Sequence, residues 1–205
     1  MGQTAYELPK LGYAYDALQP AVSAEVMELH HNRHHQAYVD GANQAREDLA
    51  QAVQDGALEH VKPLSRNLAF NLSGHVLHSL FWRNIAPDEN SGGPEENLAQ
   101  QIRNSFGNLD ALRESFQALG AGLQGSGWAA LSWDPLSRGL MLEQIGNHQD
   151  QRAGQAVPLL VMDMWEHAYY LQYRNDKKRW IEAFWKLINW KDVSGRLAVQ
   201  QALAA

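Results

Sequence analysis

The sequence predicts an α+β fold: an N-terminal antiparallel helical hairpin, then an α/β domain with a small three-stranded antiparallel sheet and surrounding helices. Two long segments with helical periodicity occupy the first 86 residues, and three short apolar segments bounded by turn residues follow them. Amphipathic helical segments flank the apolar ones. The stretch 87–94, rich in Pro, Gly and Ser, predicts a linker between domains at 1–86 and 95–205.

The first helical pattern covers about 21–53. His30, His34 and Tyr38 follow one another at i, i+4 and i+8 in it, so they share one face of the helix. Gly41 also lies within the pattern, at a position where a glycine can bend or break a helix. This segment therefore predicts one helix that presents a row of imidazole and phenol groups.

The second helical pattern covers about 65–84, and it carries His75, His78 and Trp82 on one side at i, i+3 and i+7. Paired with the first helix, it completes the hairpin. The predicted elements beyond the linker are helices at 95–104 and 109–123, strands at 128–133, 139–145 and 157–162, and helices at 177–188 and 193–204.

The composition of the chain excludes or disfavours several classes of protein and of functional site. The 205-residue chain has no cysteine, which excludes disulfides, thiolate zinc sites and thiol nucleophiles. A net charge of −6 argues against a nucleic-acid-binding protein, and no apolar run approaches the roughly 18 residues that would span a bilayer. The first nine residues lack the features of a secretory signal, so we expect a cytoplasmic protein, with a processed organellar form as the alternative.

The stretch 163–170, which reads Asp-Met-Trp-Glu-His-Ala-Tyr-Tyr, directly follows the last predicted strand. One helical turn separates Asp163 from His167, so both side chains can point to the same place. With His30 and His78 from the hairpin, they make three imidazoles and one carboxylate, a set that suits manganese, iron or zinc. Each histidine alone is more typical of an ordinary core or surface position; the joint pattern favours a metal site.

The chain resembles the iron/manganese superoxide dismutases over nearly its whole length. The motif at 163–170 matches the signature of that family completely. The other segments that carry the resemblance are residues 11–20, 30–39, 74–82 and 125–129.

The resemblance implies one five-coordinate manganese or iron ion per subunit, with manganese slightly favoured. His30, His78, Asp163 and His167 match the four protein ligands of the family, and water or hydroxide is the fifth. The remaining matches are Tyr38 and His34 in the substrate funnel, Trp128 and Trp165 in the aromatic shell, and Glu166 and Tyr170, which reach across the dimer interface.

The family also has a Gln or His that hydrogen-bonds the metal-bound solvent. Some iron enzymes supply a Gln from the second helix, where this chain has Gly74. The loop after the second strand offers the alternatives His148 and Gln149, and counting forward from Leu140 favours His148. A His at this position resembles the family branches that use iron or either metal.

The implied activity is the dismutation of superoxide to oxygen and hydrogen peroxide by a homodimer, with a tetramer as the alternative. Two other hypotheses remain open. A mononuclear non-haem iron oxygenase would use two histidines and one carboxylate, and would leave His30 or His78 without a role. A non-catalytic metal-binding protein on the same fold would have no need of Tyr38, His34 and Glu166. A metal-dependent hydrolase is disfavoured, since the chain has no His-Glu-x-x-His motif.

Overall fold

The computed structural model describes residues 4–87 and 92–203, and it has the predicted α+β architecture. Most of the predicted linker (88–91) lies outside the described residues, as does residue 204 at the predicted end of the last helix. The elements in chain order are α1 (Ala24–Leu29), a π-helical segment (His30–His35), α2 (Gln36–Gln54), a 3₁₀ turn (Leu58–His60), α3 (Val61–Asn84), α4 (Glu96–Phe106), α5 (Leu109–Ala121), β1 (Gly127–Asp134), β2 (Gly139–Gly146), β3 (Val157–Asp163), α6 (Glu166–Tyr173), α7 (Lys177–Lys186) and α8 (Trp190–Leu203).

The first helix of the hairpin is continuous from α1 through α2, but it is not α-helical throughout. Ser23 caps its start, where the hydroxyl oxygen accepts a hydrogen bond from the Val26 N–H at 3.2 Å. The His30–His35 segment is π-helical. A π-helical turn shifts the side chains away from the 3.6-residue period, and such turns are frequent at functional sites. The predicted helix is confirmed, whereas its periodicity did not indicate this local change.

The two helices of the hairpin pack closely where Gly41 on α2 faces Asn71 on α3. A side chain at position 41 would collide with the Asn71 amide, so the glycine permits the approach and does not break the helix. α3 begins at Val61, four residues before the predicted start. Pro63 lies in the first turn, where its missing N–H costs no helical hydrogen bond.

The sheet has the strand order β2-β1-β3, and both pairs of neighbours are antiparallel. β1 is central and almost entirely buried, which explains its apolar sequence. Trp128 at the start of β1 pairs with Asp163 at the end of β3. The strand register therefore brings the two residues to the same end of the sheet.

One hydrophobic core joins the hairpin to the second half of the chain. Phe81 of α3 stacks on Phe184 of α7, with ring centroids 6.1 Å apart. The buried Asn84 side chain joins α3 to β3 because it accepts from the Val161 N–H at 2.9 Å and donates to the Leu159 carbonyl at 3.0 Å. The division into domains at 1–86 and 95–205 stays a prediction. Within the described residues, no helix is both long and apolar enough to cross a bilayer.

Candidate metal centre

Four side chains from three parts of the chain converge where the hairpin meets the sheet. One potential ligand atom from each of His30, His78, Asp163 and His167 lies within 4.8 Å of the others. Asp163 Oδ2 is 3.1 Å from His30 Nε2, 3.6 Å from His78 Nε2 and 3.2 Å from His167 Nε2. The sequence prediction that these four residues lie together agrees with this geometry.

The hydrogen bonds around the cluster orient its members. His78 Nδ1 donates to the Gly74 carbonyl at 2.7 Å, which leaves the Nε2 lone pair free. Asp163 Oδ1 accepts from the Trp165 N–H at 2.9 Å, so Oδ2 faces the imidazoles. The Asp163 main-chain carbonyl accepts from the Trp180 indole at 2.9 Å and fixes the end of β3.

The cluster fits a metal ion better than it fits a set of mutual hydrogen bonds. His30 Nε2 and His78 Nε2 are buried and have no hydrogen-bond partner within the described residues. Orphaned buried nitrogen atoms cost free energy, and a divalent or trivalent ion would satisfy both. Three imidazole nitrogens and one carboxylate oxygen suit manganese, iron or zinc.

Burial lowers the pKa of His30 to about 4, against an opposing attraction from Asp163. Burial also holds the pKa of His78 well below 6.5. For Asp163, burial alone would raise the pKa, but the neighbouring His167 and His30 hold it below its ordinary value of 3.8. At neutral pH, His30 and His78 therefore offer lone pairs and Asp163 offers a negative charge without prior loss of protons.

His34 and Tyr38 lie beside the cluster. The half-buried His34 ring stacks on His167 with centroids 4.2 Å apart. The Tyr38 ring lies 5.1 Å from His78 and 4.5 Å from His148. The π-helical segment His30–His35 departs from the regular 3.6-residue period on which their predicted common face was based. Their place in a substrate funnel stays a prediction.

His148, rather than Gln149, faces the cluster. Its ring is fully buried, stacks on Trp165 with centroids 4.5 Å apart, and lies 5.8 Å from His78. The Trp128 indole can only donate, and it donates to His148 Nδ1 at 3.0 Å. His148 therefore carries its proton on Nε2, which is buried without a partner within the described residues. Gln149 instead accepts from the His148 N–H at 3.3 Å.

Gly74 makes room for two of these rings. A Cβ atom at this position would lie 2.8 Å from the Tyr38 ring and 3.3 Å from His148 Cδ2. A glutamine side chain from α3 and the His148 ring therefore exclude each other sterically. This chain has a glycine at position 74 of α3 and a histidine at position 148 of the loop.

Gly74→Ala is expected to destabilise the protein by up to about 2 kcal/mol, because overpacking costs about 1–3 kcal/mol and a helix-propensity gain of up to about 1 kcal/mol offsets part of this cost. Urea unfolding of the metal-free protein measures the change. Gly195→Ala is the control: Gly195 lies in α8, where a Cβ would meet nothing within 4 Å. That variant is expected to gain about 0.5–1 kcal/mol. Equal gains in both variants would contradict the steric account.

A second group of aromatic residues packs against His78 of the cluster. The sequence did not predict this supporting contact. Trp82 Nε1 donates to His35 Nδ1 at 2.9 Å, so His35 donates from Nε2 to His75 Nδ1 at 2.8 Å. The buried His35 ring stacks on His78, with centroids 5.3 Å apart. The spacing of residues on α3 predicts that His75 and Trp82 lie beside His78, but their link to His35 requires the tertiary structure. The sequence also did not predict the position of Phe70, which packs on Tyr38 and His148.

Two of the buried neutral histidines make the metal-free protein sensitive to acid. Burial lowers the pKa of His35 to about 3 and that of His148 to about 4. The unfolded chain binds protons at about pH 6.5, whereas the folded chain resists them, so stability falls as the pH drops from 6.5 towards 4. Each residue is expected to cost about 2 kcal/mol by pH 5. Unfolding free energies of the metal-free protein measured between pH 5 and 7.5 check this; a flat profile would contradict it.

Glu166 and Tyr170 lie at the start and middle of α6, and both are exposed, Tyr170 to 47%. Neither the Glu166 carboxylate nor the Tyr170 hydroxyl forms a hydrogen bond or ion pair with any described residue. As far as residues 4–87 and 92–203 are concerned, both groups are thus free for contacts with another molecule.

Comparison with known proteins gives the same family for both halves of the chain. The model for iron/manganese superoxide dismutases, alpha-hairpin domain, matches residues 5–86, and the model for their C-terminal domain matches 94–196. A "Superoxide dismutase [Mn/Fe]" of Propionibacterium freudenreichii subsp. shermanii is 46% identical over 94% of this chain and 96% of its own length.

Relatives named for a single metal are equally similar. A "Superoxide dismutase [Fe]" of Pyrobaculum aerophilum is 45% identical over 97% of this chain and 93% of its own. A "Superoxide dismutase [Mn]" of Corynebacterium diphtheriae is 48% identical over 93% of this chain and 96% of its own. Similarity therefore does not select one metal. The chain belongs to the iron/manganese superoxide dismutase family.

Proposed function

We propose that this protein is a superoxide dismutase, which converts superoxide to oxygen and hydrogen peroxide with one manganese or iron ion per chain. His30, His78, Asp163 and His167 are the proposed ligands. The observation that carries the proposal is the convergence of one ligand atom from each of these residues to within 4.8 Å. Family membership supports the activity, and the preference for manganese over iron stays a prediction.

Manganese or iron bound here would supply the one-electron exchange that disproportionation of superoxide requires. The residues of the chain prepare the site for it. Asp163 provides the negative charge that would offset the ion, and burial keeps the imidazoles of His30 and His78 neutral because it lowers their pKa. The rings of Trp128, Trp165 and Phe70 exclude bulk water from this region, which strengthens electrostatic interactions inside it.

Tyr38 and His148 are the proposed hydrogen-bond donors of the site. Burial raises the pKa of Tyr38 well above 10, so its hydroxyl keeps its proton at neutral pH. His148 holds a proton on Nε2, because Trp128 donates to its Nδ1. In the proposed mechanism His148 donates this hydrogen bond to solvent at the site, and Tyr38 and His34 line the approach of superoxide. The structure favours His148 over Gln149 for this role.

Superoxide consumption by metal-loaded protein tests the proposed function. The metal is removed, and the protein is reconstituted separately with manganese, iron or zinc. Zinc has no accessible redox change, so it serves as a matched control for occupancy of the same ligands. We expect activity with manganese, iron or both and none with zinc. Stoichiometric manganese and iron without activity would support the non-catalytic metal-binding protein instead.

The iron oxygenase alternative fits the geometry less well. Such a site uses two histidines and one carboxylate, whereas here three imidazoles lie within 3.6 Å of Asp163 Oδ2. Iron-dependent oxygen consumption with an organic substrate, in place of superoxide consumption, would favour it. Consumption of superoxide would give the protein an antioxidant role in the cell, and the cytoplasmic location stays a prediction.

The active form is proposed to be a homodimer, with a tetramer as the alternative. Glu166 and Tyr170 are exposed on α6 next to the proposed ligand His167, and the apolar side chains of Leu29 and Leu171 are also exposed, to 42% and 55%. These features support contact with a second copy. Glu166 would hydrogen-bond the His167 imidazole of that copy, and Tyr170 would reach its His34.

Glu166→Ala is expected to weaken the dimer at least tenfold and to lower metal content, because a ligand would lose the acceptor that orients it. Sedimentation velocity over a range of protein concentrations measures the dissociation constant. Glu114→Ala removes an exposed glutamate of α5 and is the control. A dimer of unchanged stability in Glu166→Ala would contradict the proposed interface contact.

A further inference from the structure

Glu143 is a buried carboxylate outside the proposed metal site. It lies on the edge strand β2 and is only 6% exposed. One carboxylate oxygen, Oε1, accepts from the Ser132 hydroxyl of β1 at 2.5 Å. The other, Oε2, accepts from the Ala153 N–H at 2.9 Å. Burial of a carboxylate is unfavourable unless its hydrogen bonds are satisfied, so these two contacts define its surroundings.

Ala153 belongs to the loop 147–156, which also carries His148. Reciprocal backbone hydrogen bonds of 3.0 Å between Gly146 and Asp150 close the first half of this loop. The Asn147 N–H donates to the Ser126 carbonyl at 2.9 Å. The second half of the loop returns to the sheet at Ala153, whose N–H donates to Glu143. Glu143 therefore connects the far side of the His148 loop to the sheet.

The position of His148 depends on this loop. The His148 ring must lie flat on Trp165, where the interplanar angle is 8°, and must place Nδ1 within 3.0 Å of the Trp128 indole. Trp165 Nε1 itself donates to the Asn147 carbonyl at 2.9 Å, so the loop backbone and the stacked ring move together. A shift of the loop would change both contacts of His148 at once.

We propose that Glu143 is a positioning residue for His148: through Ser132 and Ala153 it fixes the loop that holds the His148 ring between Trp128 and Trp165. The expected effect of Glu143 on activity rests on the proposed function, whereas its expected effect on the loop does not. The carboxylate acts by hydrogen-bond acceptance. Glutamine can therefore replace it, with Oε1 accepting from Ala153 and the amide donating to the Ser132 oxygen. Leucine, of similar size, can do neither.

The experiment compares Glu143→Gln and Glu143→Leu with the wild type and with Glu114→Leu, which changes an exposed glutamate. The first readout uses metal-free protein: hydrogen exchange at the Ala153 amide and at the Trp128 indole N–H. We expect exchange at both to be at least about tenfold faster in Glu143→Leu and within about threefold of the wild type in Glu143→Gln and Glu114→Leu. The second readout is activity per bound manganese or iron, which we expect Glu143→Leu to lower about tenfold or more with metal content unchanged.

Unchanged exchange at the Trp128 indole in Glu143→Leu would overturn the proposal, as would a glutamine variant as impaired as the leucine variant. If Glu143→Leu does not fold, Ser132→Ala takes its place, because it removes one hydrogen-bond donor to Glu143 with little loss of packing. Faster exchange at Ala153 supports the proposal in that variant, and wild-type exchange refutes it. Lack of superoxide consumption by wild-type protein loaded with manganese or iron would defeat the proposed function alone, since the exchange readout does not depend on activity.

Discussion

Asp163→Asn is expected to abolish retention of manganese or iron and to lower superoxide consumption more than about 100-fold, beyond the 10–100-fold typical of a residue that only supports a ligand. Asp163 Oδ2 lies within 3.6 Å of all three clustered imidazoles, and Asp163 supplies the only negative charge among the four side chains. Asparagine keeps the shape and can still accept from the Trp165 N–H. Metal content by elemental analysis and activity per chain measure the result.

Asp110→Asn is the matched control for Asp163→Asn. Asp110 lies in the first turn of α5, its side chain is 79% exposed, and its ion pair with Arg113 is at the surface. This variant is expected to keep metal content and activity within about twofold of the wild type, since such exposed pairs contribute little. If Asp163→Asn retained a full complement of metal and full activity, the assignment of Asp163 as a ligand would be wrong.

His148→Gln is expected to raise the ratio of manganese-supported to iron-supported activity about tenfold or more. His148 is the proposed hydrogen-bond donor to solvent at the site. An amide in place of the imidazole changes that hydrogen bond, whereas the amide oxygen can still accept from the Trp128 indole. The direction follows from the resemblance, in which a histidine at this position accompanies use of iron or of either metal. Activity per bound metal after separate reconstitution with each metal gives the ratio.

Gln149→Ala is the control for the neighbouring position. Its side chain accepts from the His148 N–H at 3.3 Å and is only partly buried. The metal ratio in this variant is expected to stay within about threefold of the wild-type ratio, because the His148 ring keeps its contacts with Trp128 and Trp165. A larger change of the ratio in Gln149→Ala than in His148→Gln would reverse the assignment of the two residues.

The four proposed ligands could be predicted because local spacing and family motifs both identify them. Asp163 and His167 are one helical turn apart at the end of an apolar strand, and His30 and His78 each lie within a recognisable motif. The three strands were also predictable, since short apolar segments between turn residues indicate strands without reference to the rest of the fold.

The π-helical segment at His30–His35 could not be predicted from periodicity. An extra residue in one turn changes which side chains share a face, and its cost is compensated only by tertiary contacts, such as the stacking of His34 on His167. Counting forward from Leu140 favoured His148, but it could not exclude Gln149. A shift of one residue in a loop reverses which side chain points inward, and only the contacts with Trp128 and Trp165 determine it.

The supporting residues were missed for a different reason. Glu143 looks like an ordinary charged residue of an edge strand, and its burial follows from a loop that returns ten positions later at Ala153. His35 and Trp82 lie 47 positions apart and meet only when the hairpin closes. Contacts between distant positions leave no periodic signal in one sequence, so they appear only in the folded chain.

Anomalous X-ray diffraction from crystals of the manganese- or iron-loaded protein tests the central claim most directly. The account predicts one anomalous peak per chain, within bonding distance of the Nε2 atoms of His30, His78 and His167 and of Asp163 Oδ2. A fully loaded protein whose metal peak lies elsewhere, with these four side chains unligated, would contradict it.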